Sequence, residues 1–120
     1  LPRVRADRIQ LQQVIVNLLV NAMDALDEVT QRPRLLRIRT ARTKSGLVRM
    51  EVRDTGVGIE PGQAKHLFEP FFTTKPNGLG LGLAISRSIA EAHGGRISAT
   101  PNRGPGMTFE FTLPVRNGGG

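Results

Sequence analysis

Two asparagines, Asn17 and Asn21, stand four residues apart in a helix-patterned stretch, and downstream come Asp54-Thr-Gly-Val-Gly-Ile59 and Gly78-Leu-Gly-Leu-Gly-Leu83. On a helical period the two amides project about 40° apart, at the border of an apolar stripe. Asparagine is a mediocre helix former, so each amide needs a reason: a structural hydrogen bond, or a hard cation taking its carbonyl oxygen. Asp54 closes an apolar run where Gly56 and Gly58 let the backbone turn and come close to a ligand. An ionised carboxylate only accepts hydrogen bonds, so it suits the exocyclic amine of adenine and repels the carbonyl oxygen of guanine. A strand-ending Asp in an Asp-Thr-Gly turn is the purely structural alternative. Gly78, Gly80 and Gly82 precede and open a second helical stretch, whose N-terminus offers bare N–H donors and partial positive charge to phosphate oxygens. The same spacing would also serve plain helix packing, and neither the lysine-bearing phosphate loop nor the dinucleotide fingerprint occurs. Together these pieces point to ATP.

Between the glycine runs, Phe68-Glu-Pro-Phe-Phe-Thr-Thr-Lys75 mixes three aromatics with a cation. The rings could clamp a lid, with Lys75 reaching an outer phosphate; rings of this kind also serve simply as core, a reading that stays open for Phe71 and Phe72. His66 and His93 are given structural roles, His66 on a short lid helix and His93 in a last helical turn, where partial positive charge is favoured.

These residues need elements to hold them. Asp7 with Gln10 can cap a helix over 8–28, along which Leu11, Val14, Ile15, Leu18, Ala22, Ala25 and Leu26 keep one apolar stripe. Strands follow at 35–42 and 47–54, joined by a Lys44-Ser-Gly46 hairpin turn. From Glu60 to Gly78 prolines and glycines break the pattern, leaving only Gln63 to Glu69 as a short helix in what reads as a lid. Leu81, Ala84, Ile85, Ile89 and Ala92 mark a second buried stripe, stopped by Gly94-Gly95. Strands at 96–100 and 107–113 flank Pro101-Asn-Arg-Gly-Pro-Gly106, a turn-rich connection that could also approach a ligand. The expected architecture is α+β, with helices packed on one side of a mixed, mostly antiparallel sheet.

With 120 residues, 38% of them hydrophobic, one compact domain is expected. The absence of cysteine excludes disulfides and thiolate metal sites. No run approaches the ~20 apolar residues of a membrane span, and Leu-Pro-Arg-Val-Arg at the start lacks a secretory pattern. The abrupt start and the closing Asn117-Gly-Gly-Gly120 suggest a module of a longer protein. A net charge of +7 invites a nucleic-acid reading. However, Arg37, Arg39, Arg49 and Arg53 alternate with apolar residues as the wet face of a sheet would, and five Phe without Tyr or Trp make base stacking improbable.

The sequence closely resembles, over nearly its whole length, the ATP-binding catalytic domain of sensor histidine kinases, which shares its fold with gyrase, mismatch-repair and heat-shock chaperone ATPases. An asparagine box runs Gln13-Val-Ile-Val-Asn-Leu-Leu-Val-Asn-Ala22, a first glycine box Asp54 to Ile59, a phenylalanine box Phe68 to Phe72, and a second glycine box Gly78 to Leu83. Thr-Thr-Lys75 and Ala92-His-Gly-Gly-Arg96 look most like the oxygen-sensing and nitrogen-regulatory branches. The resemblance implies a Bergerat-type two-layer sandwich: three main helices on one face of about five strands, with a mobile lid at about 60–79. It implies a catalytic domain over 1–116 and a flexible tail over 117–120.

By the same resemblance Asn21 binds Mg²⁺, Asn17 supports the phosphates, Asp54 holds the adenine amine, and Gly56, Gly58 and Ile59 shape the base pocket. Phe68, Lys75, Gly78, Leu79, Gly80, Leu81, Gly82, Leu83 and Thr108 complete the ATP site, with Asn17 and Lys75 as the catalytic pair. In hydrolysing relatives a glutamate stands at the position of Asn17; an amide cannot take up a proton at neutral pH, so hydrolysis is disfavoured. The γ-phosphoryl is instead expected to pass to a histidine on a separate helical dimerisation domain of a homodimeric parent, and onward to a response regulator. The location implied is cytoplasmic, with neither nucleic-acid nor membrane contact by this fragment. Alternatives are an ATPase of the same fold and a non-catalytic nucleotide-binding module. Some members have lysine at Asp24 and tyrosine at Ala25, so the charge here would come from Lys75 or Arg87. Met107 replaces the threonine often found directly after the glycine of the last box, leaving Thr108 one position on.

Overall fold

The computed structural model describes residues 8–60, 62–72 and 81–114. Lys75, Gly78, Leu79 and Gly80, much of the expected lid, Asp7 of the expected cap and the tail at 117–120 lie outside these residues.

Helix α1 spans Arg8–Asp27, and recurrence of apolar residues every three or four positions gives it one covered side: Val14, Leu18 and Ala22 are fully buried and Leu26 nearly so. Two of its C-terminal carbonyls are satisfied from the following loop, where Val29 N donates to Leu26 O (3.0 Å) and Arg34 Nη2 to Asp27 O (3.4 Å), while Arg34 Nε donates to Val29 O (2.7 Å). Strands β1 (Leu36–Arg42) and β2 (Leu47–Asp54) form a hairpin whose turn is closed by Thr43 N on Leu47 O, at 2.7 Å, with Gly46 at φ 83°. Helix α2 (Gly82–Ala92) ends as its glycines predict. Gly95 N bonds Ala90 O (2.8 Å) and Gly94 N bonds Glu91 O (3.0 Å), with Gly94 at φ 76°, the paired bonds of a Schellman stop. Strands β3 (Arg96–Pro101) and β4 (Met107–Pro114) complete the sheet.

The strand order is β1-β2-β4-β3, and every neighbouring pair is antiparallel. Strand β3 therefore runs parallel to β2, with β4 inserted between them. The register puts Val52 level with Ile38 on one side and Phe109 on the other; β4 alternates cleanly between a helix-covered face and a wet one, whereas the edge strand β1 is exposed along its whole length, Ile38 included. Met107, Phe109, Phe111 and Leu113 of β4 are all buried and meet Val14, Leu18, Ala22, Ile89 and Ala90 of the helices. Each of these side chains other than the two alanines contributes roughly 1.5–3 kcal/mol of transfer free energy. Arg37 and Arg53 face each other on the wet side, and Arg49 lies 3.8 Å from Glu51, an exposed pair worth at most about 1 kcal/mol. The basic strand residues are thus a solvated face.

The α+β class, with helices on one sheet face, stands. Two details differ among the described residues. The sheet has four strands and is wholly antiparallel, rather than mixed with about five, because strands that share a direction are never neighbours: β4 separates β2 from β3, and β2 separates β1 from β4. The expected third helix from Gln63 to Glu69 is a single 3-10 turn, Ala64–His66, in which His66 N bonds Gln63 O (3.0 Å) and Leu67 N bonds Ala64 O (3.3 Å). The stretch between Gly62 and Pro70 is too short to offset the cost of nucleating an α-helix, and tight i to i+3 bonds win. No helix among the described residues is long and apolar enough to cross a membrane.

Candidate functional site

Asp54 is the last residue of β2, on the helix-covered side, and is 1% exposed. Burial pushes its pKa above the ordinary aspartate range, and backbone N–H groups of Gly56 and Met107 pull part of the way back. The Gly56 bond to Oδ1 is 2.9 Å. A buried carboxylate with so little solvent is costly to ionise without a further donor, which is what an amine-bearing ligand supplies.

The turn that follows is held through its carbonyls. Arg32 donates Nη1 to Thr55 O and Nη2 to Gly56 O (3.1 Å), while Asn102 Nδ2 donates to Asp54 O (2.8 Å). From the amide side, Val57 N bonds Ala25 O (3.1 Å) and Thr55 N bonds Leu35 O (3.1 Å). Glycine is obligatory at two points here. A Cβ on Gly56 would sit 2.6 Å from the Ala25 backbone, and one on Gly106, at φ 94°, would sit 1.9 Å from Asp54 O.

The second half of the site is the junction of α1 with the start of α2. Asn17 Nδ2 donates to Gly82 O and to Ser86 Oγ, both at 3.1 Å, and Ser86 donates on to Gly82 O at 2.9 Å. The first helical bond of α2 is Ile85 N to Leu81 O (2.9 Å), so the N–H groups of Gly82, Leu83 and Ala84 precede the ladder, and Leu81 gives no side-chain cap. These bare donors and the helix dipole favour an anion. Asn17 is locked beside them with its amide nitrogen turned to protein, while its carbonyl oxygen keeps its accepting capacity. Asn21, one turn along the same flank of α1, is half-buried and has no side-chain hydrogen bond among the described residues. Its carbonyl oxygen suits a hard cation that keeps most of its ligands as water and phosphate.

Other expected residues take varied places. Ile59, Leu83 and Phe68 are part-buried against the core, and Phe68 meets Phe109 edge-on at 6.3 Å and 83°. Phe71 is 74% exposed at φ 67°, and Phe72 lies by His66 at 5.9 Å. Thr108 falls on the wet face beside Arg53, and its hydroxyl donates to Asn102 Oδ1 at 2.6 Å, while Met107 points into the core. His66 pairs with Glu69 (2.9 Å) and His93 Nδ1 bonds Ile89 O (2.8 Å), both local structural contacts.

Sequence reasoning passed over Ser86, Arg32 and Asn102. A serine interrupting the apolar stripe of α2 one turn from Gly82 was a usable signal, because a buried hydroxyl needs a partner. Arg32 and Asn102 sit in loops where their residue types are ordinary; the turn 101–106 reads as able to approach a ligand, but nothing local distinguishes Asn102 within it.

The model of the family described as histidine kinase-, DNA gyrase B-, and HSP90-like ATPase matches residues 6–117. The sensor protein FixL of Bradyrhizobium diazoefficiens is 50% identical over 112 residues, 93% of this chain and 22% of that protein. The sensor protein TdiS of Thauera aromatica is 44% identical over 115 residues, covering 95% of this chain and 21% of its own length. The chain thus spans about a fifth of these relatives. Among solved structures, full-length ShkA in complex with AMPPNP matches 98% of this chain and 24% of its own, with TM-score 0.82 and 32% identity. The catalytic domain of histidine kinase ThkA matches 93% of this chain and 70% of its own, with TM-score 0.79 and 38% identity. On the strength of a family match over nearly the whole chain, it belongs to the histidine kinase-, DNA gyrase B-, and HSP90-like ATPases.

Proposed function

We propose that this chain is the ATP-binding catalytic domain of a sensor histidine kinase, and that it presents the γ-phosphoryl of Mg·ATP to a histidine on a separate dimerisation domain. The observation that carries this reading is the pairing of two half-sites. One is a buried acceptor, Asp54, behind a turn fixed at three successive carbonyls; the other is an uncapped helix start with Asn17 locked against it. Asp54 accepts from the adenine amine, and Gly56, Gly58 and Ile59 line the base. The N–H groups opening α2 hold phosphate oxygens, joined by the expected contributions of Lys75, Gly78, Leu79 and Gly80. The AMPPNP-bound relative supports ATP as the ligand.

Asn21 would hold Mg²⁺ through its carbonyl oxygen, and the ion would neutralise phosphate charge. Asn17, as an amide with its nitrogen engaged, has no site to take a proton from water, which favours phosphoryl transfer over hydrolysis. Catalysis is then chiefly positioning and charge stabilisation. A response regulator would receive the phosphoryl group in turn, and ATP dependence fits a cytoplasmic setting.

Calorimetric titration of the chain with ATP and Mg²⁺ should give saturable binding. Added in excess to a histidine-bearing helical domain of a close relative, the chain should label that histidine from γ-labelled ATP, while alone it acquires no label. Well-folded protein that takes up no ATP would overturn the proposal.

A further inference from the structure

We propose that Asn102 is a positioning residue for the Asp54 carboxylate, and through it a determinant of adenine preference; this rests on the reading of Asp54 as the base-binding group. Asn102 opens the turn between β3 and β4 and engages both its side-chain donors and its side-chain oxygen there. Nδ2 donates to Asp54 O (2.8 Å) and Pro105 O (3.0 Å), and Oδ1 accepts from Thr108 Oγ1 (2.6 Å). Its backbone N–H bonds Gly106 O at 3.1 Å.

Asp54 is paired with Leu36 of β1, but the carbonyl Asn102 grips lies past the end of the ladder with β4. The β2–β4 ladder ends at Arg53 opposite Thr108, one residue before Asp54, so Asn102 supplies from 48 positions away the donor that the ladder lacks. That carbonyl is on the same residue whose carboxylate meets the base, so fixing it fixes the origin of the side chain. The same turn brings Gly106 against Asp54 O so closely that no Cβ fits, and carries Gly106 to 3.7 Å from where a Gly58 side chain would begin. Asn102 therefore ties the base-binding residue to Gly106, and through it to the neighbourhood of Gly58.

Only an amide meets these demands. Aspartate would bring no donor, and alanine nothing. Thr108, though on the outer face of the sheet, determines which way the amide lies: by donating to Oδ1 it leaves the nitrogen facing Asp54. Its influence on the base is then indirect.

The test compares ATP with purine riboside triphosphate, which has hydrogen in place of the 6-amine, by calorimetry on the full chain. In the wild type ATP should bind more tightly. Asn102→Ala should weaken ATP about tenfold, the scale of a charge-assisted hydrogen bond misplaced, and the analogue by less than about twofold. Combining it with Asp54→Asn should add little to the loss from Asp54→Asn alone, since both act on one contact. Thr108→Val, which leaves Asp54 and Asn102 in place, should give a smaller loss of the same selectivity and serves if Asn102→Ala does not fold. Equal weakening of both nucleotides, or unchanged selectivity in folded Thr108→Val protein, would overturn the positioning role while leaving ATP binding intact. A wild type that binds both alike would instead remove the base-binding role of Asp54, and this inference with it.

Discussion

Asn17 and Ser86 are 69 positions apart in sequence, yet the amide nitrogen of one lies 3.1 Å from the hydroxyl oxygen of the other, and both share the carbonyl of Gly82. This triangle is the bolt between the two helices. Ser86 is fully buried, so its hydroxyl exists to satisfy and be satisfied. Ser86→Ala would strip one partner from the Asn17 amide and one from the Gly82 carbonyl, costing about 1–3 kcal/mol of stability. Urea melts should record that loss. ATP affinity should fall as well, because the released amide no longer holds one orientation at the start of α2; a variant as stable as wild type would mean the triangle is incidental.

Asp54→Asn is expected to weaken ATP binding by about 1–3 kcal/mol, replacing a charged acceptor with a neutral amide that turns a donor towards the base amine. Titration calorimetry on the purified variant measures it. Unchanged ATP affinity would remove the carboxylate from base recognition.

The buried carboxylate also predicts a pH signature. Its folded pKa lies above the unfolded value because burial disfavours the charge, so the folded state holds this proton more tightly. Stability from this group is full below the unfolded pKa and is lost as pH rises through the folded one. Without nucleotide, the wild type should therefore gain in melting temperature relative to Asp54→Asn as pH is lowered across that window. A constant difference between the two proteins over the same range would contradict a raised pKa.

Much of this was legible in the chain because the signals were local. The α1 stripe from Leu11 to Leu26 and the Gly94-Gly95 stop each encode their element within a few turns of backbone, and both ends came out where the pattern put them. The strands read equally well, but their spatial order did not: nothing along β2 or β3 states that β4 will lie between them, and that insertion decides whether the sheet is mixed. Asn17, Asp54 and Gly82 stood out as residue types odd for their positions. Arg32 and Asn102 grip the turn after β2 from 23 to 48 positions away, and a loop arginine or asparagine carries no sign of such a partner. The three phenylalanines 68, 71 and 72 were indistinguishable in sequence because burial there depends on where Phe109 arrives, and only Phe68 meets it.

Gly106→Ala should be among the most damaging single substitutions available. The backbone there has φ 94°, and the added carbon would lie 1.9 Å from Asp54 O, so the β3–β4 turn would have to move off the end of β2. Positive φ alone costs about 1–3 kcal/mol, and the clash adds to it. Thermal melts should show the protein destabilised by at least that amount, whereas Gly104→Ala in the same turn, with open space around its Cα, should be nearly neutral.

Asn17 and Asn21 look alike in sequence and should answer alanine in opposite ways. Asn17 spends its amide on Gly82 and Ser86, so Asn17→Ala leaves a buried hydroxyl and a carbonyl short of a donor and should lower stability without any ligand present. Asn21 has no side-chain partner among the described residues and sits in the middle of α1, where alanine is the better helix former by about 0.5 kcal/mol. Asn21→Ala should therefore leave the apo protein as stable as wild type or slightly more so. What it should lose is the gain in ATP affinity on adding Mg²⁺, measured by titrating nucleotide with and without the ion. A residue kept only for the helix would show the reverse: a drop in apo stability with the magnesium effect intact, and that result would move the cation away from Asn21.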